Sequence, residues 1–200
     1  MQHHSSPLPF TKDQVEKIGN TIIYLAERVP DLDKGKILQS LFLLEECSWK
    51  KYLLPFFDIQ FQLWKTGPVA KDIYIDLSED EPHILSGFIK RFKIEPPYFL
   101  AANTFHSDQF SDNDLTILKS VTGYVKDKDA ETLLQHNTGH HSLWYLTALH
   151  HGVLDLLLNG PIHATNIIVD FAFLFCHDAD RLNAYHAVTE EREFIRQHKP

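Results

Sequence analysis

Apolar positions recur every three or four residues along the first quarter of the chain. Val15, Ile18, Ile22 and Leu25 line one face of a helix. Thr11 followed by Gln14 is a capping-box pattern, with Phe10 and Val15 in hydrophobic-staple positions and Pro30 beyond the end. A second helix starts from Asp33 as its cap, with Leu32 and Ile37 placed as a staple. Ile37, Leu38, Leu41, Phe42 and Leu44 form its broad apolar face, which runs to about Ser48. The period then changes to two. Phe57, Ile59, Phe61 and Leu63 alternate, predicting a half-buried strand over Phe56–Trp64. Gly67-Pro68-Val69 reads as a tight corner. Proline at a first helical position loses no needed N–H, and Gly67 lets the chain swing from strand to helix. Val69, Ile73 and Leu77 are spaced for a short helix from about Pro68 to Leu77.

Ser78 to Pro82 is acidic and loop-like, and His83–Phe105 carries two patterns at once. Ile84, Phe88 and Phe92 fit a helix. Phe92-Lys93-Ile94 and Tyr98-Phe99-Leu100, around Pro96-Pro97, fit an extended ribbon, which is the preferred reading. Ser111 caps the next helix, with Asp114 in its first turn and Leu115, Leu118, Val121 and Val125 facing inward. A short helix from Asp127 or Asp129 holds Leu133 and Leu134 and is broken by Asn137-Thr138-Gly139. A further one carries Leu143, Leu146 and Leu149. After the turn Asn159-Gly160-Pro161, the positions Ile167, Ile168, Phe171, Leu174 and Phe175 predict a largely buried helix. A last helix follows from Asp178, so helices are expected across 161–197. No repeat, low-complexity tract or linker interrupts this order, which predicts a single domain over residues 1–200.

Composition narrows the function. The chain is 44% hydrophobic and 12% aromatic, with 14 Phe, enough for an aromatic-rich core without staples. Its formal net charge of −8 argues against a nucleic-acid grip built on clustered Lys and Arg. Cys47 and Cys176 both sit in apolar patterns and are read as buried free thiols; no Cys-x-x-Cys pair exists. No apolar run reaches the roughly 18 residues a membrane span needs, and the N-terminus lacks a signal pattern, so a cytoplasmic protein is expected.

Histidine is the most abundant candidate chemistry, with 13 copies that include the doublets His140-His141 and His150-His151. On one continuous helix His140 and His151 would share a side but lie about 16 Å apart along the axis, too far for one ion. No His-x-x-x-His pair occurs within either doublet region. His177-Asp178 matches the doublet of metal-dependent phosphohydrolases in two letters only; the preferred reading is that Asp178 or Asp180 caps the last helix. There is no Gly-rich phosphate loop and no Gly-x-Ser-x-Gly elbow. Glu45 and Glu46 are adjacent and point to different helix faces, so they cannot share a proton. No constellation argues for an enzyme, and no cofactor is implied.

One ordered set of motifs stands out: Lys36-Ile37-Leu38-Gln39-Ser40-Leu41-Phe42, then Phe61-Gln62-Leu63-Trp64-Lys65-Thr66-Gly67-Pro68-Val69 through Tyr74, then Phe110-Ser111-Asp112-Asn113-Asp114-Leu115, then Thr132-Leu133-Leu134-Gln135-His136 leading to Trp144. This set resembles the Panacea antitoxin domain family, the SocA-like, phage-associated proteins, over roughly Asp33 to Trp144. The resemblance implies an α+β fold, mainly α with a small antiparallel β-sheet. It also implies a non-enzymatic antitoxin that neutralises a partner toxin, encoded next to it, by direct binding; some relatives act as adaptors to a protease. It transfers no catalytic, cofactor or metal residue. Trp64, Lys65, Tyr74, His136 and Trp144 are the candidates for the partner surface or its support, with Gly67 and Pro68 completing the family motif. Two other classes stay open: a metal-dependent hydrolase using His150, His151 and His177, and a regulatory module with no toxin partner.

Overall fold

A computed structural model describes residues 9–92 and 97–198. Among them, eight α-helices surround a three-stranded and a two-stranded antiparallel sheet, the mainly α architecture with small sheets expected above. Helix α1 (Lys12–Ala26) starts on the anticipated capping box, with Thr11 Oγ1 accepting from the Gln14 N–H and the Gln14 side chain accepting from the Thr11 N–H. Helix α2 (Lys34–Tyr52) is capped by Asp33 and runs a full turn beyond Ser48, ending where Leu53 adopts a left-handed conformation. Residues all round its circumference are buried, from Ile37 to Trp49, so α2 is the central post of the fold.

The stretch read as one strand is mostly irregular. The Glu45 carboxylate accepts the Phe57 N–H at 2.8 Å, and Asp58 turns the chain at φ +61°. Only β1 (Gln62–Trp64) enters a ladder. Gly67-Pro68-Val69 is not the start of a helix but the second strand, β2 (Gly67–Val69), paired antiparallel to β1 around the turn Lys65-Thr66. Pro68 is tolerated because β2 is an edge strand. Helix α3 (Lys71–Asp76) begins three residues later than the pattern predicts. The Asp76 carboxylate then holds the following loop by accepting the N–H groups of His83, Ile84 and Leu85 at 2.6–2.9 Å.

Strands β3 (Ile89–Phe92) and β4 (Tyr98–Ala101) form the extended ribbon, packed on α1. Residues 93–96, which that reading includes, lie outside the described residues, as does the N-terminal segment 1–8. Helix α4 (Asp112–Val125) has a complete Ser111–Asp114 capping box. Helix α5 (Ala130–Thr138) is capped by Asp129 and continues through Asn137, which is buried rather than helix-breaking. Both helices pack on α2. Helix α6 (Leu143–His150) starts after His140 and His141, so the two histidine doublets do not share one helix. A short α7 (Leu154–Leu158) follows.

The helix read from Ile167 to Phe175 divides in two. Ala164–Ile168 is strand β5, paired antiparallel to the free side of β1, and Phe171–Phe175 is a 3-10 turn. Helix α8 (Ala179–Gln197) is capped by Asp178. It docks through Tyr185, edge-on to Trp49 at 4.9 Å, and through Arg181, which donates to the Lys50 carbonyl. The core is as aromatic as the composition suggests, with Phe42 against Phe61 at 5.3 Å and Phe171 at 5.9 Å. The cysteines depart from expectation. Both are free, but Cys47 is half-buried and Cys176 is exposed, because Cys176 follows the 3-10 turn out of the core.

Glu45 is the buried acid of this core. Loss of water pushes its pKa up to about 7, against the pull of the Phe57 N–H. Its folded pKa lies above the unfolded value of 4.5, so the native state binds more protons between these values. Stability from this group is fully present below the unfolded pKa and falls as pH rises to about 7. Urea denaturation across this range should show that decline in the native chain and its loss in Glu45→Gln.

Candidate functional site

The β1–β2 hairpin is held by side chains at its carbonyl groups. Thr165 Oγ1 of β5 donates to the Leu63 carbonyl at 2.8 Å. The Trp144 indole of α6 donates to the Trp64 carbonyl at 2.9 Å. Gln39 Nε2 of α2 donates to the Thr66 carbonyl at 3.1 Å. The Lys65 N–H adds a bond to the His163 carbonyl at 2.8 Å. Elements distant in sequence thus fix the turn. Asn137 of α5 sets Gln39 in turn, its Nδ2 donating to the Gln39 carbonyl at 3.2 Å and to Gln39 Oε1 at 2.8 Å. In the sequence Gln39 figured only within the Lys36–Phe42 motif and Asn137 only within a helix break, neither of them as a support of the hairpin. A polar residue at an otherwise apolar helix position was the available signal.

Gly67 is buried under this network with φ +96°, a conformation that side chains rarely adopt. A Cβ there would lie 2.9 Å from Leu134 Cδ1 and 3.1 Å from Gln39 Nε2. The corner at Gly67 and buried Pro68 is therefore a close approach of hairpin, α2 and α5.

The candidate residues fall into three settings. Trp144 is 1% exposed and acts from inside, through its bond to the hairpin. Trp64 and Tyr74 are half-buried and meet edge-to-face, centroids 4.9 Å apart and planes at 65°. Gln62 Oε1 accepts the Trp64 indole N–H at 3.1 Å, and Lys34 Nζ lies 4.2 Å from the Tyr74 ring centre. Lys65 is exposed at the turn, its amino group 3.4 Å from the Gly160 carbonyl. His136 stands apart on the exposed side of α5, its Nδ1 3.1 Å from the Tyr124 hydroxyl of α4. From α5, Leu134 meets the hairpin at Gly67, and Asn137 acts on it through Gln39.

The histidine-rich half makes aromatic contacts: His140 with Tyr145 at 4.5 Å, and His150 with Phe173 at 5.6 Å. Among the described residues no three His, Cys, Asp or Glu side chains come together as a metal-holding group. No described helix is long and apolar enough to cross a membrane.

Fold and site together define a mainly α protein built around a pinned β-hairpin that presents an aromatic pair. Residues 38–145 match the family model of the antitoxin SocA-like, Panacea domain, and the chain belongs to that family. The matched span contains the hairpin, Gln39, Asn137 and Trp144. No curated protein and no solved structure gives a significant match.

Gly67→Ala should destabilise the fold by about 1–3 kcal/mol, since it combines a disfavoured backbone conformation with crowding. Chemical denaturation measures this, and a loss below about 0.5 kcal/mol, the range of a neutral surface change, would contradict the pinned geometry.

Proposed function

We propose that this protein is a non-enzymatic antitoxin that neutralises a cognate toxin by binding it directly in the cytoplasm, the toxin being encoded in a neighbouring reading frame. The observation that carries this reading is the matched antitoxin-like span, which contains the hairpin. Supporting it, the hairpin's carbonyls are engaged from within while Trp64 and Tyr74 are only half-buried. Large aromatics on a rigid support make effective interface anchors, because little conformational entropy remains to be lost on binding. In this reading Trp64, Tyr74 and Lys65 contact the toxin. Gly67, Pro68 and Trp144 hold the hairpin in shape, and His136 with Tyr124 lies on a separate face.

Co-expression with the neighbouring reading frame tests the function. Growth arrest by that frame alone, relieved by this protein, is the expected result. A neighbour that is not toxic, or whose toxicity is unchanged, defeats the proposal. Trp64→Ala and Tyr74→Ala should each weaken the complex by about 2 kcal/mol, roughly thirtyfold in Kd. Calorimetry on variants whose thermal unfolding matches the native protein reads this directly.

A further inference from the structure

The longest strand of the described sheets stands at an open edge. Strand β5 has five residues, against three in β1 and β2 and four in β3 and β4. It is the outer strand of the order β2-β1-β5, and β1 is the element that packs extensively on it. Edge strands present unpaired N–H and C=O groups, and proteins guard them with proline, charge or a covering segment. The other edges of this protein are guarded. β2 is buried and carries Pro68. β3 carries Lys90 and Arg91, and β4 bridges to Leu32–Asp33, with the Phe99 N–H donating to the Leu32 carbonyl at 2.8 Å. The β5 segment Ala164-Thr165-Asn166-Ile167-Ile168 has neither proline nor charge.

The bonds of β5 show which way its main-chain groups point. The His163 carbonyl accepts the Lys65 N–H at 2.8 Å, and the Val169 N–H donates to the Phe61 carbonyl at 2.8 Å. The Ile167 N–H donates to Thr165 Oγ1 at 3.1 Å, and that hydroxyl donates to the Leu63 carbonyl. Residues 163, 167 and 169 thus turn their main-chain groups toward β1. Alternation along an extended strand points those of Ala164, Asn166 and Ile168 away from it. Among the described residues, no bond outside the β1–β5 ladder uses them. Ala164 and Asn166 are exposed and Ile168 is half-buried.

We propose that β5 is the interface for a second copy of this chain, the two β5 strands pairing antiparallel about a twofold axis at Asn166. The outward groups are placed evenly about that residue, so a second copy supplies the matching set. Asn166 faces Asn166 of the second copy, and the small Ala164 faces Ile168 of the second copy. Each facing pair exchanges two hydrogen bonds. Two chains of net charge −8 repel each other, and this uncharged strand lets their main chains meet without like charges directly opposed. The outcome is one continuous sheet with a β1–β2 hairpin at either end. An unrelated strand would use the same groups but gives no reason for their symmetry. The pairing does not depend on the antitoxin reading.

Sedimentation equilibrium of the native protein, Asn166→Pro and Asn166→Lys, over a roughly hundredfold range of concentration, is the test. Proline removes the central outward N–H and is tolerated at a strand edge. Asn166→Lys leaves the main chain intact and sets like charges opposite each other. A native circular dichroism spectrum identifies the variants that are folded, and the Lys variant serves where the Pro variant is not. The expected result is a native dimer that dissociates at least about tenfold more readily in each folded variant. Asn166→Cys in a Cys176→Ser background should also cross-link two chains under copper-phenanthroline oxidation, because facing Cα atoms of a hydrogen-bonded pair lie about 5.5 Å apart, within disulfide reach. The background alone should not. A native protein that is monomeric throughout overturns the proposal. A dimer unaffected in folded variants, or one that Asn166→Cys does not cross-link, overturns it in favour of another interface. A monomeric native protein whose toxin complex is weakened by Asn166→Pro overturns it in favour of a strand supplied by the toxin.

Discussion

Everything at the presented face depends on how the hairpin's main-chain carbonyls are satisfied. A two-stranded hairpin is marginal in water, and three residues per strand offer few ladder bonds. Here the carbonyls of Leu63, Trp64 and Thr66 receive donors from Thr165, Trp144 and Gln39, which belong to β5, α6 and α2. An amide carbonyl in a low-dielectric interior costs free energy when left unpaired, so these bonds hold the turn firmly. Trp144 does two things at once, filling core volume and donating its indole N–H at the sheet margin.

The constraint propagates inward through polar groups in an otherwise apolar core. Gln39 can reach Thr66 because Asn137 orients its amide. The Asn137 Oδ1 itself is buried without a partner among the described residues, so the network trades one unsatisfied acceptor for the docking of α5 against α2. On the other side of α2, Glu45 performs a related task for the loop leading into β1 by taking the Phe57 N–H. Helix α2 therefore positions the hairpin from two directions, the turn through Gln39 and the approach through Glu45. Trp64 is tied into that rigidity by its own groups, its carbonyl accepting from Trp144 and its indole N–H donating to Gln62.

Local interactions made part of this legible in advance. The capping box at Thr11–Gln14 and the caps at Ser111 and Asp33 form between residues three apart and appear in the structure, which also selects Asp178 over Asp180 as the last cap. The Panacea-like motif set led to the family, whose model covers residues 38–145. The misread segments are those where partners decide. Ile167 and Ile168 fit a helix or a strand; they become strand because β1 has a free edge beside them. Pro68 suits a helix start or an edge strand, and pairing with Leu63 selects the strand. Cys176 looked buried because its neighbours are apolar, yet the 3-10 turn ends before it.

The sequence by itself determined the helices with strong local signals, the aromatic character of the core and the identity of the motif around Gly67, because those follow from residues close together along the chain. Only the tertiary structure decided that this motif is a hairpin, that Gln39, Asn137, Thr165 and Trp144 support it, and that Trp64 and Tyr74 meet edge-to-face as half-buried rings. These outcomes rest on hydrogen bonds between residues as much as 102 positions apart. Such contacts carry no periodicity and exist only once the elements have packed.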